Sequence, residues 1–245
     1  MPRTALFGLP AIVGVYVGAV LWLLAILALL AFLYWLIVIG EGTYLGRGAV
    51  RFIYRHGARF YDQARRQVTA SDEAALLPIL REALGGCSAP RVLDVATGTG
   101  RVPLLLAAQP WFAGSVTGID LTPAMLDLAR AKVAGAGLAE RVALCEGDAG
   151  ALPWPAASFD MVTSLEALEF FPRPRRALAE MVRTLRPGGA LVVSKYPDGW
   201  ARALPLKGLT RRAMARQMER LGMRAIEFRA WQPGHYELVI ARKQF

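Results

Sequence analysis

The chain has 245 residues, of which 55% are hydrophobic and 20% charged, and its formal net charge at pH 7 is +10. This length gives room for one ordinary domain and an appendage. The two cysteines, Cys87 and Cys145, are too few for a disulfide framework, and we expect them to be reduced. No spacing of cysteine, histidine and carboxylate residues predicts a metal site.

The N-terminal segment predicts a membrane anchor within residues 1–40. Residues 5–40 contain no charged side chain, and about 20 apolar residues are enough to cross the hydrocarbon core of a bilayer. We predict one tilted span over about residues 15–39. Because residues 5–16 contain glycines and a proline, two alternatives stay open: a membrane hairpin, or a short interfacial or re-entrant segment before the span. A secretory signal has a shorter apolar region of about 7–15 residues, so a retained anchor is favoured.

Residues 41–68 are predicted to form a basic juxtamembrane helix or linker. Arg47, Arg51, Arg55 and Arg59 recur every four residues and would form one stripe on a helix. The excess of positive charge after the span places the C-terminal domain in the cytoplasm. The stripe either only fixes this topology or also contacts anionic lipid headgroups. Because much of the net charge lies here, no nucleic-acid partner is expected.

Residues 69–245 alternate between helix-like and strand-like segments. A helix capped by Thr69 or Ser71 should run to about Leu84, and later helices are predicted at about 101–108, from 123, at 175–185 and at 211–221. Strands are predicted at 91–95, 115–119, 141–145, 159–164, 190–194, 225–231 and 236–241. The last two flank a tight turn and form an antiparallel hairpin. The predicted fold is α/β: a doubly wound, Rossmann-like, seven-stranded sheet, mostly parallel, with a C-terminal antiparallel hairpin and an N-terminal transmembrane helix.

The most informative motif is the glycine-rich turn after the first predicted strand. Residues 92–100 read Val-Leu-Asp-Val-Ala-Thr-Gly-Thr-Gly, and such a turn before a helix lets backbone N–H groups approach a nucleotide. A dinucleotide fingerprint would place a third small residue three positions after Gly100, where Pro103 stands. Asp94 can instead pair with the ammonium of an amino-acid tail. The pattern therefore favours S-adenosylmethionine over a nicotinamide dinucleotide.

Five sequence blocks occur in order: 93–100, 118–126, 147–149, 158–162 and 185–189. Together they resemble the class I S-adenosylmethionine-dependent methyltransferases, most closely the group of the ubiquinone/menaquinone C-methyltransferases. The resemblance covers about residues 58–242 and leaves out the anchor. It implies a methyltransferase with S-adenosylmethionine as its methyl donor.

The resemblance also implies cofactor-binding positions, which are Asp94, Ala96, Gly98, Gly100, Asp120, Leu121, Met125, Asp148, Ala149, Ser164 and Tyr61. Asp120 would accept hydrogen bonds from both ribose hydroxyls, and Asp148 would lie near the adenine amino group. Tyr61 belongs to a Tyr-Asp pair on a helix that would cover the cofactor. The alternatives are structural: Asp120 can serve an N-cap arrangement and Asp148 a turn.

Methyl transfer from a sulfonium needs positioning and desolvation, and it needs a base only where the acceptor must lose a proton. Glu166 and Glu169 follow the fourth strand and are weak catalytic candidates, with solvated helix residues as the alternative. The anchor and the arginine stripe predict a membrane-tethered enzyme for a lipid-soluble acceptor, either a quinone precursor or a phospholipid amine. The alternatives are an anchored methyltransferase for a soluble metabolite or protein, and a non-catalytic cofactor-binding membrane scaffold.

Overall fold

A computed structural model describes the backbone of residues 8–244 and the side chains of residues 14, 16–63 and 74–244. The first helix, α1, spans Gly8–Tyr34 and continues through a π-helical turn, Trp35–Ile39. Within the described chain, Tyr16–Ile39 is the one helical segment long and apolar enough to cross a membrane, and none of its best window is buried against the protein. The alternative of an interfacial piece at residues 5–16 extends beyond the described residues.

A single long helix, α2, spans Arg47–Leu84. The prediction that a separate helix begins at Thr69 or Ser71 is wrong, because α2 passes through both positions without a break; their side chains lie outside the described residues. A short 3-10 turn, Thr43–Leu45, joins α1 to α2. The helix ends at Gly85, whose φ of 60° is left-handed and suits glycine.

The remaining helices and strands follow the predicted order. The strands are β1 Arg91–Val95, β2 Ser115–Asp120, β3 Val142–Glu146, β4 Phe159–Ser164, β5 Leu185–Lys195, β6 Met223–Gln232 and β7 Tyr236–Lys243. The helices are α3 Arg101–Ala107, α4 Pro123–Gly135, α5 Pro174–Thr184, α6 Asp198–Arg202 and α7 Arg211–Arg220. The short helix α6 was not predicted from the sequence.

The seven strands form one sheet in the order β3-β2-β1-β4-β5-β7-β6. The first five strands in this order are parallel to one another, whereas β7 is antiparallel to both β5 and β6. This arrangement confirms the predicted doubly wound sheet with its closing hairpin. Strand β5 begins five residues earlier than predicted, because Arg186–Gly189 form an irregular stretch of the strand in which Gly188 has a φ of 75°.

Helices cover both faces of the sheet. Leu76 and Leu80 of α2 pack with Leu106 of α3 on one face. On the other face, Met181 of α5 packs with residues of α7 such as Met214. The strand order reverses at β1, where β2 and β4 lie on opposite sides, so a crevice opens at the carboxyl ends of these strands.

Candidate cofactor site

The glycine turn after β1 lies at this crevice. Ala96, Gly98 and Gly100 have φ values of 58°, 55° and 85°, so the chain is left-handed at three positions within five residues. A Cβ on Gly98 would meet nothing within 4 Å, whereas one on Gly100 would lie 3.2 Å from Cβ of Ala129. Gly98 therefore leaves space on the cavity side, and Gly100 allows the turn to pack closely against α4.

Asp120 lies at the carboxyl end of β2 and is 9% exposed. The Gly98 N–H donates to its Oδ2 at 2.8 Å, and the Thr122 N–H donates to its Oδ1 at 2.9 Å. Burial raises the pKa of this carboxyl, and the two backbone donors oppose the shift. The turn therefore orients Asp120, and each oxygen keeps a further lone pair for a hydroxyl group.

A cavity of about 740 Å³ opens beside Asp120 and the glycine turn. Eight of the eleven predicted cofactor residues line it, namely Ala96, Gly98, Asp120, Leu121, Met125, Asp148, Ala149 and Tyr61. Three do not: Asp94, Gly100 and Ser164. The structure thus brings most of the predicted site to one place.

Asp94 lies behind the cavity wall and is 3% exposed. The Thr163 hydroxyl donates to its Oδ1 at 2.6 Å. Burial raises its pKa to about 6, against the lowering effect of its hydrogen bonds. Ser164 is also fully buried, and its Oγ has no hydrogen-bond partner among the described residues. Asp94 is the last but one residue of β1 and Ser164 is the last residue of β4. Both are buried by the packing around the parallel strands, and neither lines the cavity.

Arginines from the start of α2 meet carboxylates at the edge of the cavity. Arg47 Nη1 lies 2.7 Å from Asp148 Oδ2, and Arg51 Nη2 lies 2.8 Å from Glu146 Oε1. Asp148 also accepts the Gly150 N–H at 2.9 Å through Oδ1, as the turn interpretation predicts. Two arginines of the predicted stripe therefore face the domain. The four-residue spacing predicted that the arginines share one helix face, but nothing in the sequence indicated that Arg47 lines the cavity.

One face of α2 forms a wall of the same cavity. Arg47, Val50, Tyr54 and Tyr61 line it at helical spacing. The hydroxyl of the half-buried Tyr54 donates to the Glu41 carboxylate, and desolvation raises the pKa of this tyrosine well above its ordinary value. Because the residues that line the cavity lie on one helix face, α2 covers the cavity as the Tyr-Asp resemblance suggested.

A polar network fastens this wall to the glycine turn. The Thr99 hydroxyl donates to Asp62 Oδ1 at 2.8 Å, and Lys132 Nζ lies 2.6 Å from Asp62 Oδ2. Lys132 Nζ also donates to Thr99 Oγ1 at 2.9 Å. The helix and the turn are therefore held together by three hydrogen-bonding side chains from α2, the turn and α4.

Of the two catalytic candidates, Glu166 lines the cavity and Glu169 does not. Glu166 has a left-handed φ of 54° and accepts hydrogen bonds at Oε1 from Arg101 and from Gln232, each at 2.9 Å. The Oε1 of Glu169 accepts the Tyr196 N–H, and burial raises the pKa of Glu169 to about 7. Both carboxylates are buried, so the solvated-helix alternative does not describe them.

The wall near Glu166 is largely apolar. It consists of Leu165, Ala167, Phe170, Phe171 and Pro172. Behind it, the rings of Phe170 and Tyr196 meet edge to face at 6.1 Å, and those of Tyr196 and Tyr236 lie 4.9 Å apart. An apolar substrate would bury its surface against this wall.

The residues fit S-adenosylmethionine. A buried carboxylate with oriented oxygens suits a ribose diol, and the space beside Gly98 admits a chain close to the backbone. Leu121, Met125 and Ala149 supply apolar surface for a purine ring. A nicotinamide dinucleotide is not favoured, because the second half of its fingerprint is missing from the sequence.

Comparison with known protein families supports this assignment. Residues 93–193 match a family described as "Methyltransferase domain". The chain is 44% identical over 107 residues to a demethylmenaquinone methyltransferase from Thermus thermophilus, covering 44% of this chain and 47% of that protein. It is 39% identical over 106 residues to a ubiquinone/menaquinone biosynthesis C-methyltransferase from Geobacter sulfurreducens, covering 43% and 41%. The matched part spans just under half the length of these relatives.

Solved structures share the fold. A SAM dependent methyltransferase from Aquifex aeolicus superimposes with a TM-score of 0.61 at 20% identity, covering 77% of this chain and 97% of its own. The cyclase SpnF superimposes with a TM-score of 0.60 at 24% identity, covering 71% and 81%. Since a cyclase has the same fold, the fold by itself does not identify the reaction.

Proposed function

We propose that the chain is a membrane-tethered enzyme. Its domain is of the class I S-adenosylmethionine-dependent methyltransferase type and is similar to the ubiquinone/menaquinone C-methyltransferases. It transfers a methyl group from S-adenosylmethionine to a small lipid-soluble acceptor. The observation that carries this proposal is the cavity in which the oriented carboxylate of Asp120 and the open glycine turn lie opposite an apolar wall.

The chain's own residues bind and position in this reaction. When bound, S-adenosylmethionine supplies a methyl group that its sulfonium already activates. Asp120 holds the ribose, and the apolar side chains of Leu121 and Met125 pack on the adenine. Tyr54 and Tyr61, from α2, close the cavity and exclude water. Rate enhancement then comes mainly from orientation, for which effective molarities reach about 10⁵–10⁸ M.

A proton must leave where the acceptor is a carbon atom. Burial raises the pKa of Glu169 to about 7. Its side chain does not line the cavity, so it is not placed to take that proton, since a general base must lie within hydrogen-bond reach of it. Its Oε2 has no hydrogen-bond partner among the described residues. Glu166 touches the cavity but shares its Oε1 with Arg101 and Gln232, which suits orientation of the acceptor better than proton transfer.

Among lipid-soluble acceptors, a quinone precursor is our first choice. The relatives that match are named for menaquinone and ubiquinone synthesis, and the wall of Leu165, Phe170 and Phe171 is suited to a flat, apolar ring. A phospholipid amine is the second candidate. A cationic amine would find a carboxylate in Glu166 at the same wall.

The membrane tether is supported by the exposed surface of α1 and α2. Tyr16–Ile39 is apolar and unburied. On α2, Phe52 and Phe60 are 64% and 56% exposed and alternate with the arginines of the stripe. Aromatic and basic residues on one helix are typical of an interfacial helix at anionic lipid. We propose that Arg55 and Arg59, with the exposed parts of Arg47 and Arg51, contact headgroups, and that the domain lies in the cytoplasm.

The proposed division of the chain is an anchor at 1–40, a basic segment at 41–68 and a catalytic domain at 69–245. Since Arg47, Val50, Tyr54 and Tyr61 line the cavity, the basic segment has two functions in this scheme. Its inner face completes the site, and its outer face meets the bilayer.

The acceptor is tested with full-length protein in liposomes and labelled S-adenosylmethionine. Three acceptors are compared: reduced demethylmenaquinone, phosphatidylethanolamine, and the soluble fraction of a cell extract. We expect transfer to the quinol. Transfer to phosphatidylethanolamine would select the second candidate, and transfer only to soluble metabolites or protein would show an anchored enzyme of another class. Cofactor binding without transfer to any acceptor would indicate a non-catalytic scaffold.

A further inference from the structure

A second cavity, of about 1,130 Å³, lies next to the cofactor cavity, and nothing in the proposed reaction uses it. Its walls come from the 3-10 turn after the span, the loop after β3 and the first turn of α5. It shares Arg47 and Asp148 with the cofactor cavity. The two spaces are therefore neighbours across one ion pair.

The charged groups of this cavity are unbalanced. Four cations line it, namely Arg47, Arg173, Arg176 and Lys207, against the single carboxylate of Asp148, which pairs with Arg47. Arg176 Nε donates to the Gly150 carbonyl at 2.7 Å. Within the described part of the chain, no carboxylate forms an ion pair with Arg173, Arg176 or Lys207. Three positive charges therefore face one space whose single carboxylate, Asp148, is already paired with Arg47.

Lys207 is the deepest of these cations and is only 6% exposed. Its Nζ donates to the carbonyl and hydroxyl oxygens of Thr43 and, at 3.3 Å, to the Phe171 carbonyl, and it lies 4.6 Å from the centre of the Tyr44 ring. Desolvation lowers its pKa to about 8. A buried cation held only by neutral oxygens and a ring is stabilised by an anion placed nearby.

The position of the cavity indicates where such an anion comes from. Thr43 lines it four residues after Ile39, the last residue of the apolar segment. The Tyr44 hydroxyl donates to the Pro205 carbonyl at 3.0 Å, and each of these two residues is followed by an exposed leucine: Leu45, 60% exposed, and Leu206, 95% exposed. Because Tyr44 lines the cavity, we take these two leucines as an apolar rim on that side. A basic cavity with an apolar rim at the end of a span suits a lipid headgroup better than a soluble anion.

We propose that this second cavity binds the phosphate group of an anionic membrane lipid. The phosphate lies among Arg173, Arg176 and Lys207, while the acyl chains leave over the apolar rim. This inference rests on the proposed membrane tether. It assigns the cavity a ligand distinct from both the methyl donor and the acceptor.

The test uses the full-length protein in a neutral detergent and calorimetry with dihexanoyl phosphatidylglycerol below its micelle concentration. Arg173→Gln combined with Arg176→Gln should weaken binding about 25-fold, at roughly five-fold for each arginine. The matched control is Arg212→Gln with Arg216→Gln, which removes two exposed charges from α7, outside this cavity. We expect the control to bind within about two-fold of the unchanged protein.

Equal weakening in both variants would overturn the proposal, because it would show general attraction to the basic surface. Inorganic phosphate is the second ligand. If it binds as tightly as the lipid, the site is one for free phosphate and the lipid assignment is wrong. No binding of either ligand also refutes the proposal.

Two further measurements separate this inference from the proposed function. Flotation of the unchanged protein with liposomes tests the tether alone, since the short-chain lipid is soluble. Calorimetry with S-adenosylmethionine on both variants tests the cofactor site. We expect unchanged cofactor binding in Arg173→Gln with Arg176→Gln. A protein that binds lipid but no cofactor would refute the enzyme assignment and leave the lipid site standing.

Discussion

Replacing Asp120 with alanine tests the cofactor site. Its two oxygens are oriented by the Gly98 and Thr122 N–H groups, at 2.8 and 2.9 Å, and should each accept one ribose hydroxyl. A hydrogen bond to a charged acceptor contributes about 1.5–3 kcal/mol. Two such bonds at the lower limit give about 3 kcal/mol, so we expect S-adenosylmethionine to bind roughly 150-fold more weakly.

The assay is calorimetry at pH 7 on protein that melts as the unchanged chain does. Asp120→Asn keeps the side-chain volume and one acceptor oxygen, so its loss should be smaller, about ten-fold. The control is Asp127→Ala. Asp127 lies on the neighbouring helix α4, its side chain is 71% exposed, and it does not line the cofactor cavity.

We expect the control to bind as the unchanged protein does. If Asp120→Ala binds S-adenosylmethionine within three-fold of the unchanged protein, Asp120 does not hold the ribose and the cavity has been assigned wrongly. An equal loss in Asp127→Ala would refute the reasoning too, because it would show a general effect of charge.

Three further predictions follow from the same structure. Gly100→Ala should lower the free energy of unfolding by about 1–3 kcal/mol in chemical denaturation, since the φ of Gly100 is 85° and the new Cβ would lie 3.2 Å from Cβ of Ala129. Gly86→Ala is the control: its Cβ would meet nothing within 4 Å, so stability should change little. The free energy of unfolding should fall as pH rises from about 4.5 to 7. Burial raises the pKa of Glu169 to about 7 and that of Asp94 to about 6, so over this range the native state keeps protons that the unfolded chain has lost. Glu169→Gln should make this pH dependence shallower, and an unchanged slope would contradict the prediction. Protease added outside spheroplasts should leave the domain intact, and its digestion would reverse the proposed topology.

The sheet was predictable because its signals are local. Short apolar strands are followed by capping residues, such as Thr122 before Pro123, or by glycines, and the closing hairpin has its own turn residues. The helix boundary at Thr69 or Ser71 was wrong for a related reason. Both are good N-cap residues, but a cap signal does not end a preceding helix, and α2 is held beyond it by Leu76 and Leu80, which pack on the sheet.

The part of the cofactor site formed by the turns after β1 and β2 could be predicted from the sequence. Gly98 lies in the turn after β1 and Asp120 ends the neighbouring strand β2, so their meeting follows from the fold. The ion pair of Arg47 with Asp148 could not be predicted, because it joins positions 101 residues apart and depends on how α2 crosses the sheet. The depth of Asp94 depends likewise on packing, since the sequence does not show which way a side chain at the end of a strand points.

Labelled methyl transfer into a lipid extract tests the central claim most directly. The full-length protein, in liposomes made from total membrane lipid of the source cells, is incubated with labelled S-adenosylmethionine, and organic and aqueous phases are counted separately. We predict label in the organic phase with the unchanged protein and with Asp127→Ala, and its loss with Asp120→Ala. No label in the organic phase, when the soluble fraction of the same cells does become labelled, would contradict a lipid-soluble acceptor.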